Sequence, residues 1–193
     1  MRLVFATNNL NKLSEIRSLV PKGLQILSLD DINFSQEIPE TQETLEGNAL
    51  QKARYIFDNF GYNCFSDDTG LEINILNGEP GVYSARYAGN ECNAEKNINK
   101  VILKLEGLNN RKATFRTVIA LIIEGKEYFF EGKCEGVIAK NKSGLQGFGY
   151  DPIFIPLEYD KTFAEMTEEE KGKISHRGKA VRKLVNFAGK IFK

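Results

Sequence analysis

Residues 113–138, ATFRTVIALIIEGKEYFFEGKCEGVI, decide the fold. Two runs rich in β-branched and aromatic residues lie on either side of Glu124-Gly125-Lys126, and this pattern is typical of a β-hairpin. Further strands are predicted on both sides of the hairpin, because LEINI (residues 71–75) alternates apolar and polar residues and IFIP (residues 153–156) is a short apolar run. The centre of the chain is therefore expected to be mainly β-structure.

The first sixty residues alternate between strand and helix patterns. RLVFAT (residues 2–7) and LQILSL (residues 24–29) are short runs of strand-forming residues. Between them, apolar side chains recur at helical spacing from Lys12 until Pro21 stops the pattern. Residues 44–60 also carry one apolar face at helical spacing, so a second helix is predicted there.

The rest of the chain adds two helices and no sign of a second domain. Apolar residues recur at helical spacing over residues 94–108 and again from near Ser175. The inward positions predicted for the last helix are Val181, Leu184, Val185, Ala188 and Phe192. Because there is no internal repeat, low-complexity linker or break in composition, we expect one α/β domain with mixed strands over residues 1–193.

Composition excludes several classes of protein. The 193 residues carry 26 Lys plus Arg and 26 Asp plus Glu, so no global field attracts nucleic acid or an anionic membrane, and any polyanion must be bound by a local basic cluster. The three cysteines are scattered without zinc spacing, as is typical of a reducing cytosol. MRLVFATNN has too few apolar residues for a signal peptide, and no apolar stretch reaches the roughly 20 residues that span a bilayer. We therefore expect a cytoplasmic protein that binds neither nucleic acid nor membrane.

Four polar clusters lie at the ends of predicted elements, where loops gather into clefts. In the first cluster, Thr7-Asn8-Asn9 and Lys12 lie where a strand runs into a helix. The first N–H groups of a helix can bind an anion, and Lys12 would add a positive charge. The alternative is that Asn8 or Asn9 only caps the helix and that Lys12 is solvated.

The second cluster runs from Glu40 to Glu46 and continues into the predicted helix at Asn48 and Lys52. Carboxylates before a helix usually complement its dipole, which is the alternative to a functional role. Asn48 and Lys52 are four residues apart and share one face of the helix. Asn is a poor helix former, so its position inside the helix needs a reason.

The third cluster is FSDDTG, residues 65–70, where a strand is expected to give way to a turn. Successive strand side chains point to opposite faces, so Asp67 and Asp68 face one cleft only if the turn begins between them. The alternative is an Asx turn that ends the strand. Adjacent like charges repel each other, and a hard divalent ion with oxygen ligands would relieve the repulsion. Because His176 is the only histidine, magnesium fits these residues better than zinc or iron.

The fourth cluster combines GFGYDP (residues 147–152) with EEKGKISHRGKA (residues 169–180). Gly147 and Gly149 flank Phe148, whose ring is a suitable platform for a nucleobase. In the second segment, Ser175 is the predicted N-cap of the last helix. Cations around a helix N-terminus oppose its dipole unless an anion joins them. The cations are Lys171, Lys173, His176, Arg177 and Lys179.

Taken together, six segments resemble the inosine triphosphate pyrophosphatase family of nucleotide hydrolases. In chain order they are FATNNLNK, TLEGNALQKA, SDDTGLEI, PGVYSARYAG, GFGYDPIFIP and EEKGKISHRGKA, and they extend over nearly the whole chain. The resemblance implies a mixed, elongated β-sheet flanked by helices, with two lobes around a central cleft. It also implies hydrolysis of dITP, ITP and XTP or dXTP to the monophosphate and pyrophosphate, a Mg²⁺ cofactor and a homodimer.

The resemblance further implies roles for individual residues. Asp68 matches the family's proposed proton acceptor, and Glu40 and Asp68 match its metal-associated acids. Asp68 is thus expected to face the nucleotide, while Asp67 shapes the turn or supports the metal from behind. Gly47 is a difference, because many members have Glu there. Substrate contacts are implied at Thr7, Asn8, Asn9, Leu10, Asn11, Lys12, Lys52, Thr69, Phe148, Gly149, Tyr150, Asp151, Lys171, His176 and Arg177.

Three alternatives stay open from the sequence. The first is a Maf-like (septum-formation-like) pyrophosphatase that acts on modified pyrimidine nucleotides, which gives no reason for Ser175-His176-Arg177. The second is a non-catalytic module that binds a nucleotide or RNA, although the neutral net charge argues against a large RNA footprint. The third is that the four clusters are only helix caps and turns.

Overall fold

The computed structural model describes residues 1–191 and contains both predicted kinds of element. The α-helices are α1 (Leu10–Leu19), α2 (Leu45–Phe60), α3 (Ala94–Lys104), α4 (Glu168–Ile174) and α5 (His176–Ile191). The strands are β1 (Arg2–Phe5), β2 (Gln25–Leu27), β3 (Cys64–Ile73), β4 (Pro80–Gly81), β5 (Lys112–Ile123), β6 (Lys126–Ile138) and β7 (Phe154–Pro156). Phe192, predicted to face inward from the last helix, lies outside the described residues.

The strands form one mixed sheet in the order β2-β1-β3-β5-β6-β7, with β4 paired to β3. β1 is parallel to β2 and β3, whereas β4 is antiparallel to β3 and β7 is antiparallel to β6. The predicted hairpin is confirmed. Its turn residues Glu124 and Gly125 have φ angles of 50° and 77°, and positive values at both positions are what a two-residue type I′ turn requires. The mixed α/β class predicted from the sequence is therefore confirmed.

The chain divides into two compact units, and β3, β5 and β6 contribute residues to both. Unit 1 comprises Met1–Asp68, Thr117–Gly132 and Arg177–Lys193. Its sheet residues alternate between two helical layers, as the two-residue period of a strand requires. One layer packs α1 and α5 against strand residues that include Leu3, Phe5 and Phe65. The other packs α2 against residues that include Val4, Ala6 and Cys64.

Unit 2 comprises Thr69–Arg116 and Lys133–His176 and has a separate hydrophobic core. The apolar face of α3 packs there with residues from β3, β5, β6 and β7. The approach of β7 to β6 depends on Gly136, because a Cβ at this position would lie 2.3 Å from the carbonyl oxygen of Ile155. The prediction of one domain over residues 1–193 is not tested by the division into units and stays a prediction.

One local expectation was wrong, one helix was not predicted, and the last helix begins at His176, directly after Ser175, as predicted. β3 continues through FSDDTG to Ile73, so neither the predicted turn nor the Asx turn forms there. The strand does not need to end, because other segments of the chain supply partners for its polar side chains. In addition, a separate short helix, α4, precedes the last helix. Thr167 and Glu170 start α4 with a capping box, and Ser175 is its C-cap residue.

None of the helices within residues 1–191 combines the length and the apolar character that a membrane-spanning segment requires.

Candidate active site

The continuous strand β3 separates the two adjacent aspartates. Phe65 packs in the layer of α1 and α5, and Asp67 follows it by two residues on the same face of the strand. Cys64 packs in the layer of α2, and Asp68 shares that face. The two carboxylates of unit 1 therefore have different neighbours, although they are consecutive in the sequence.

Asp67 is completely buried and lies between two cations. Its Oδ1 atom is 3.0 Å from Lys12 Nζ, and its Oδ2 atom accepts a hydrogen bond of 3.1 Å from Arg177 Nε. Burial alone would raise the pKa of Asp67, but Lys12 and Arg177 outweigh it and hold this pKa well below its usual range. Asp67 is therefore charged at neutral pH, as a buried ion pair requires.

Arg177 connects Asp67 to a third charged residue. Only 2% of the Arg177 residue is exposed, and its Nη1 atom donates a hydrogen bond to Glu15 Oε2. Burial lowers the pKa of Arg177, but Glu15 and Asp67 raise it further than burial lowers it. Glu15 was not among the sequence predictions. The only signal for it was its position three residues after Lys12 in α1, which places both side chains on one helix face.

The loop before α1 brings Lys12 to this network. Asn9 is the N-cap of α1, and its side-chain oxygen accepts a hydrogen bond of 3.1 Å from the Lys12 backbone N–H. The capping interpretation is therefore confirmed for Asn9, but Lys12 is not solvated, because it pairs with Asp67. Thr7 is half-buried, and its side-chain oxygen accepts from the Asn9 backbone N–H, whereas residues 8–11 are exposed.

Asp68 lies next to α2 and to the segment that carries Glu40. Its Oδ2 atom accepts a hydrogen bond of 3.1 Å from Asn48 Nδ2, and Lys52 forms an ion pair with Glu40. Burial raises the pKa of Asp68, the negative charge of Glu40 raises it further, and Lys52 and Lys12 oppose the change without cancelling it. The same two lysines thus act on both aspartates, but only the pKa of Asp68 is raised.

The predicted metal residues Glu40 and Asp68 fit a Mg²⁺ ion better than other metals. Within residues 1–191 there is no group of three or more His, Cys, Asp and Glu residues that could hold a metal ion by itself. Mg²⁺ does not need such a group, because it commonly binds one or two carboxylates together with substrate phosphates and water. Two carboxylates that interact electrostatically match that chemistry.

In unit 2, the loop around Phe148 is held by a buried ion pair. The Phe148 backbone N–H donates to Asp151 Oδ2 at 2.8 Å, and Lys171 Nζ lies 2.7 Å from the same oxygen. Lys171 Nζ also lies 5.1 Å from the centroid of the Phe148 ring, within the range of a cation–π contact. The loop thus presents a half-buried aromatic ring beside a fixed positive charge.

Of the four remaining predicted residues of unit 2, Tyr150 and His176 are buried and the other two are half-buried. The Tyr150 hydroxyl donates to the Ser84 carbonyl oxygen at 2.8 Å, and burial raises the pKa of Tyr150. The ring of His176 stacks on Phe115, with 4.5 Å between the ring centroids. Thr69 and Gly149 are half-buried.

Gly147 offers a direct test of how Asp151 is held in the Phe148 loop. A Cβ at Gly147 would lie 2.1 Å from Asp151 Oδ2. The backbone of Gly147 is also left-handed, with a φ angle of +73°. Gly149 is also left-handed, with φ of +61°, but has open space around it. In urea unfolding, Gly149→Ala should cost about 1–2 kcal/mol for the backbone conformation alone. Gly147→Ala should cost clearly more, because its methyl group displaces the Asp151 carboxylate. Equal losses would contradict the proposed constraint on Asp151.

Each unit therefore brings together one part of the predicted set. Unit 1 contains Thr7 to Lys12, Glu40, Lys52, Asp68 and Arg177, and unit 2 contains Thr69, Phe148 to Asp151, Lys171 and His176. The contact of each residue with substrate stays a prediction.

The chain is similar to known proteins over nearly its whole length. The model of the Ham1 family matches residues 3–187. A dITP/XTP pyrophosphatase of Flavobacterium johnsoniae is 56% identical, with 97% of each chain covered. A dITP/XTP pyrophosphatase of Porphyromonas gingivalis is 51% identical, with 96% of each chain covered. The chain is thus similar over nearly its whole length to proteins named dITP/XTP pyrophosphatases.

Solved structures agree with the sequence matches. A HAM1 protein from Coxiella burnetii superimposes with a TM-score of 0.89 at 36% identity, covering 98% of this chain and 99% of that one. The Ham1 protein of Staphylococcus aureus gives a TM-score of 0.88 at 37% identity, with 98% of each chain covered. This chain belongs to the Ham1 family. The resemblance inferred from the six segments is confirmed, and the pyrimidine-directed and non-catalytic alternatives are not favoured.

Proposed function

We propose that this protein hydrolyses the non-standard purine nucleotides dITP, ITP and XTP or dXTP to the monophosphate and pyrophosphate, and so removes them from the nucleotide pool. One observation carries the proposal. Asp68 is a buried carboxylate with a raised pKa next to Glu40, Lys52 and Lys12, in a chain whose relatives at 56% and 51% identity are named dITP/XTP pyrophosphatases.

We assign to Asp68 the task of accepting the proton of the attacking water. A general base is most effective when its pKa lies near the working pH, and the raised pKa of Asp68 moves it in that direction from the usual range of a carboxylate. Asp67 is unsuited to this task, because Lys12 and Arg177 hold its pKa low and it is completely buried. This contrast supports the choice of the second aspartate as the catalytic one.

Glu40 and Asp68 are the residues that would hold Mg²⁺. When it is bound, this ion neutralises phosphate oxygens and lowers the pKa of a bound water. The ammonium groups of Lys12 and Lys52 would stabilise the negative charge that moves to the departing pyrophosphate. Both lysines are already restrained by carboxylates, Lys12 by Asp67 and Lys52 by Glu40, so little side-chain freedom is lost when a triphosphate binds.

We assign recognition of the purine to the Phe148 loop, with Lys171 and His176 as further contacts. The ring of Phe148 would stack on the base, and Lys171 beside it would remain fixed by Asp151. Hypoxanthine and xanthine carry a 6-keto acceptor, whereas the 6-amino group of adenine donates, so a hydrogen-bond donor at this position selects against ATP. GTP shares the 6-keto group and has to be rejected at its 2-amino group.

Arg177 has two proposed roles, which differ in support. Its pairs with Asp67 and Glu15 favour a role in holding Asp67 and, through it, Lys12. A direct contact with substrate, which the resemblance implies, would use guanidinium hydrogen bonds besides those given to the two carboxylates.

We also propose a homodimer in the cytoplasm. The resemblance supports both, and the PGVYSARYAG segment and the long hairpin are the suggested contact surfaces.

A nucleotide panel tests the function. Purified protein with Mg²⁺ should release pyrophosphate from dITP, ITP and XTP far faster than from dATP or dGTP. Each buried hydrogen-bonding group left unpaired by the wrong base costs about 1–3 kcal/mol, or roughly tenfold to a hundredfold in kcat/KM, so several such contacts should separate the two groups of substrates. Equal rates on all five nucleotides would contradict the specificity, and no release from any of them would contradict the activity.

A further inference from the structure

Asn48 occupies a position in α2 that helix propensity does not explain. It lies in the first half of the helix, is completely buried, and belongs to a residue type that forms helices poorly. A buried amide is stable only when its polar atoms are hydrogen-bonded. Its side-chain oxygen accepts a hydrogen bond of 2.9 Å from the Gln42 backbone N–H, and its Nδ2 atom donates to Asp68 Oδ2 at 3.1 Å.

The two side-chain hydrogen bonds of Asn48 join separate parts of unit 1. Gln42 belongs to the segment of residues 40–42, here called the acidic segment, which also carries Glu40. Asp68 belongs to β3. The Asn48 side chain therefore contacts both the Asp68 carboxylate, which is assigned to catalysis, and the backbone two residues after Glu40, the other predicted metal residue.

Other contacts also attach the acidic segment to α2. Gln51 makes two hydrogen bonds of 2.9 Å, one from the Thr41 backbone N–H to its Oε1 atom and one from its Nε2 atom to Thr41 Oγ1. Gly47 allows close approach, since a Cβ there would lie 2.7 Å from Gln42 Cβ. Gln51 thus attaches the segment without contacting Asp68, which makes it a matched control.

We infer that Asn48 is a positioning residue for the proposed reaction. Its Nδ2 atom restrains Oδ2 and hence the plane of the Asp68 carboxylate, while its oxygen fixes the acidic segment against the same helix. Asn48 thereby sets the position of Asp68 relative to Glu40. Misplacing a reacting group by about 1 Å can lower a rate by roughly a hundredfold, so this restraint matters although Asn48 acts only through Asp68. The inference rests on the function proposed above.

Three variants separate this role from simple attachment of the segment. Asn48→Ala removes both hydrogen bonds, and Gln51→Ala removes the attachment at Thr41 alone. Asn48→Asp is nearly isosteric and keeps the oxygen that accepts from Gln42, but it replaces the donor to Asp68 with a second carboxylate oxygen, whose charge also repels Asp68. Thermal unfolding identifies any variant that fails to fold, and Asn48→Asp keeps the test decisive if Asn48→Ala does so.

The expected readout is a difference in kcat at saturating dITP and Mg²⁺. Both Asn48 variants should lower kcat by about tenfold to a hundredfold, while Gln51→Ala should change mainly KM. A crystal structure of Asn48→Asp should show the Asp68 carboxylate rotated, with Gln42 still bonded to residue 48. Equal losses of kcat in Asn48→Asp and Gln51→Ala, or an unmoved Asp68 carboxylate, would overturn the inference. Failure of the proposed function would instead appear as no pyrophosphate release by the wild-type protein, and the crystal structures would still decide the positioning role.

Discussion

Asp68→Asn is expected to abolish pyrophosphate release while the protein stays folded. An amide cannot accept the proton of the attacking water and is a poor ligand for Mg²⁺, so the loss in kcat should be at least about 10²–10⁴-fold. The fold should survive because Asn has the same shape and because burial already disfavours the charged form of Asp68, as its raised pKa indicates. The measurements are kcat with dITP and the free energy of unfolding in urea.

Asp58→Asn is the control for this variant. Asp58 is an exposed residue of α2 in the same unit, so its replacement should leave both kcat and the free energy of unfolding unchanged. A near-normal rate for Asp68→Asn would remove Asp68 from the reaction. A collapse of stability would instead mean that Asp68 is a structural residue like its neighbour.

The neighbouring substitution, Asp67→Asn, should mainly lower the free energy of unfolding, whereas Asp68→Asn should mainly lower kcat. It removes the carboxylate that pairs with both the buried guanidinium of Arg177 and the ammonium group of Lys12. Removing one partner from a buried ion pair costs about 3–5 kcal/mol, because the charge that stays buried is then less well compensated. Urea unfolding at neutral pH measures the loss.

Glu169→Gln provides the matched control for Asp67→Asn. Glu169 pairs with Lys173 on the surface of α4, where its side chain is 80% exposed, and removing such a pair should leave the free energy of unfolding nearly unchanged. Comparable losses in the two variants would show that the network around Asp67 contributes no more than a surface pair.

Acid should lower the free energy of unfolding of the wild-type protein through Asp67. The pKa of Asp67 in the folded state lies well below its unfolded value of about 3.9, so its contribution to stability is complete above that value and is lost as the pH falls below it. The free energy of unfolding should therefore decrease from about pH 4 downward, and Asp67→Asn should show a shallower decrease. Identical slopes for the two proteins would contradict the lowered pKa.

Local patterns were sufficient to predict the elements themselves. The hairpin, α2, α3 and the last helix all form close to their predicted positions, because period-two and helical spacing of apolar residues determine which face is buried. The N-cap at Asn9 was also within reach of the sequence, since it depends on a residue only three positions away.

The roles of Asp67 and Asp68 could not be predicted in the same way. The partners of Asp67 are Lys12 and Arg177, which are 55 and 110 residues away in the sequence. Composition and spacing give no information about contacts at such distances, so FSDDTG looked like the end of a strand. Once those partners are in place, the polar residues are compatible with a continuous strand. α4 is a different case, because it was missed although its capping box, Thr167 followed three residues later by Glu170, is a local signal.

The bond that is cleaved tests the central claim most directly. We expect ³¹P NMR of dITP incubated with the wild-type protein and Mg²⁺ to show dIMP and pyrophosphate as the first products, because the proposed reaction, with water assisted by Asp68, breaks the bond between the α- and β-phosphates. Appearance of dIDP and inorganic phosphate instead, or an unchanged dITP spectrum, would contradict it.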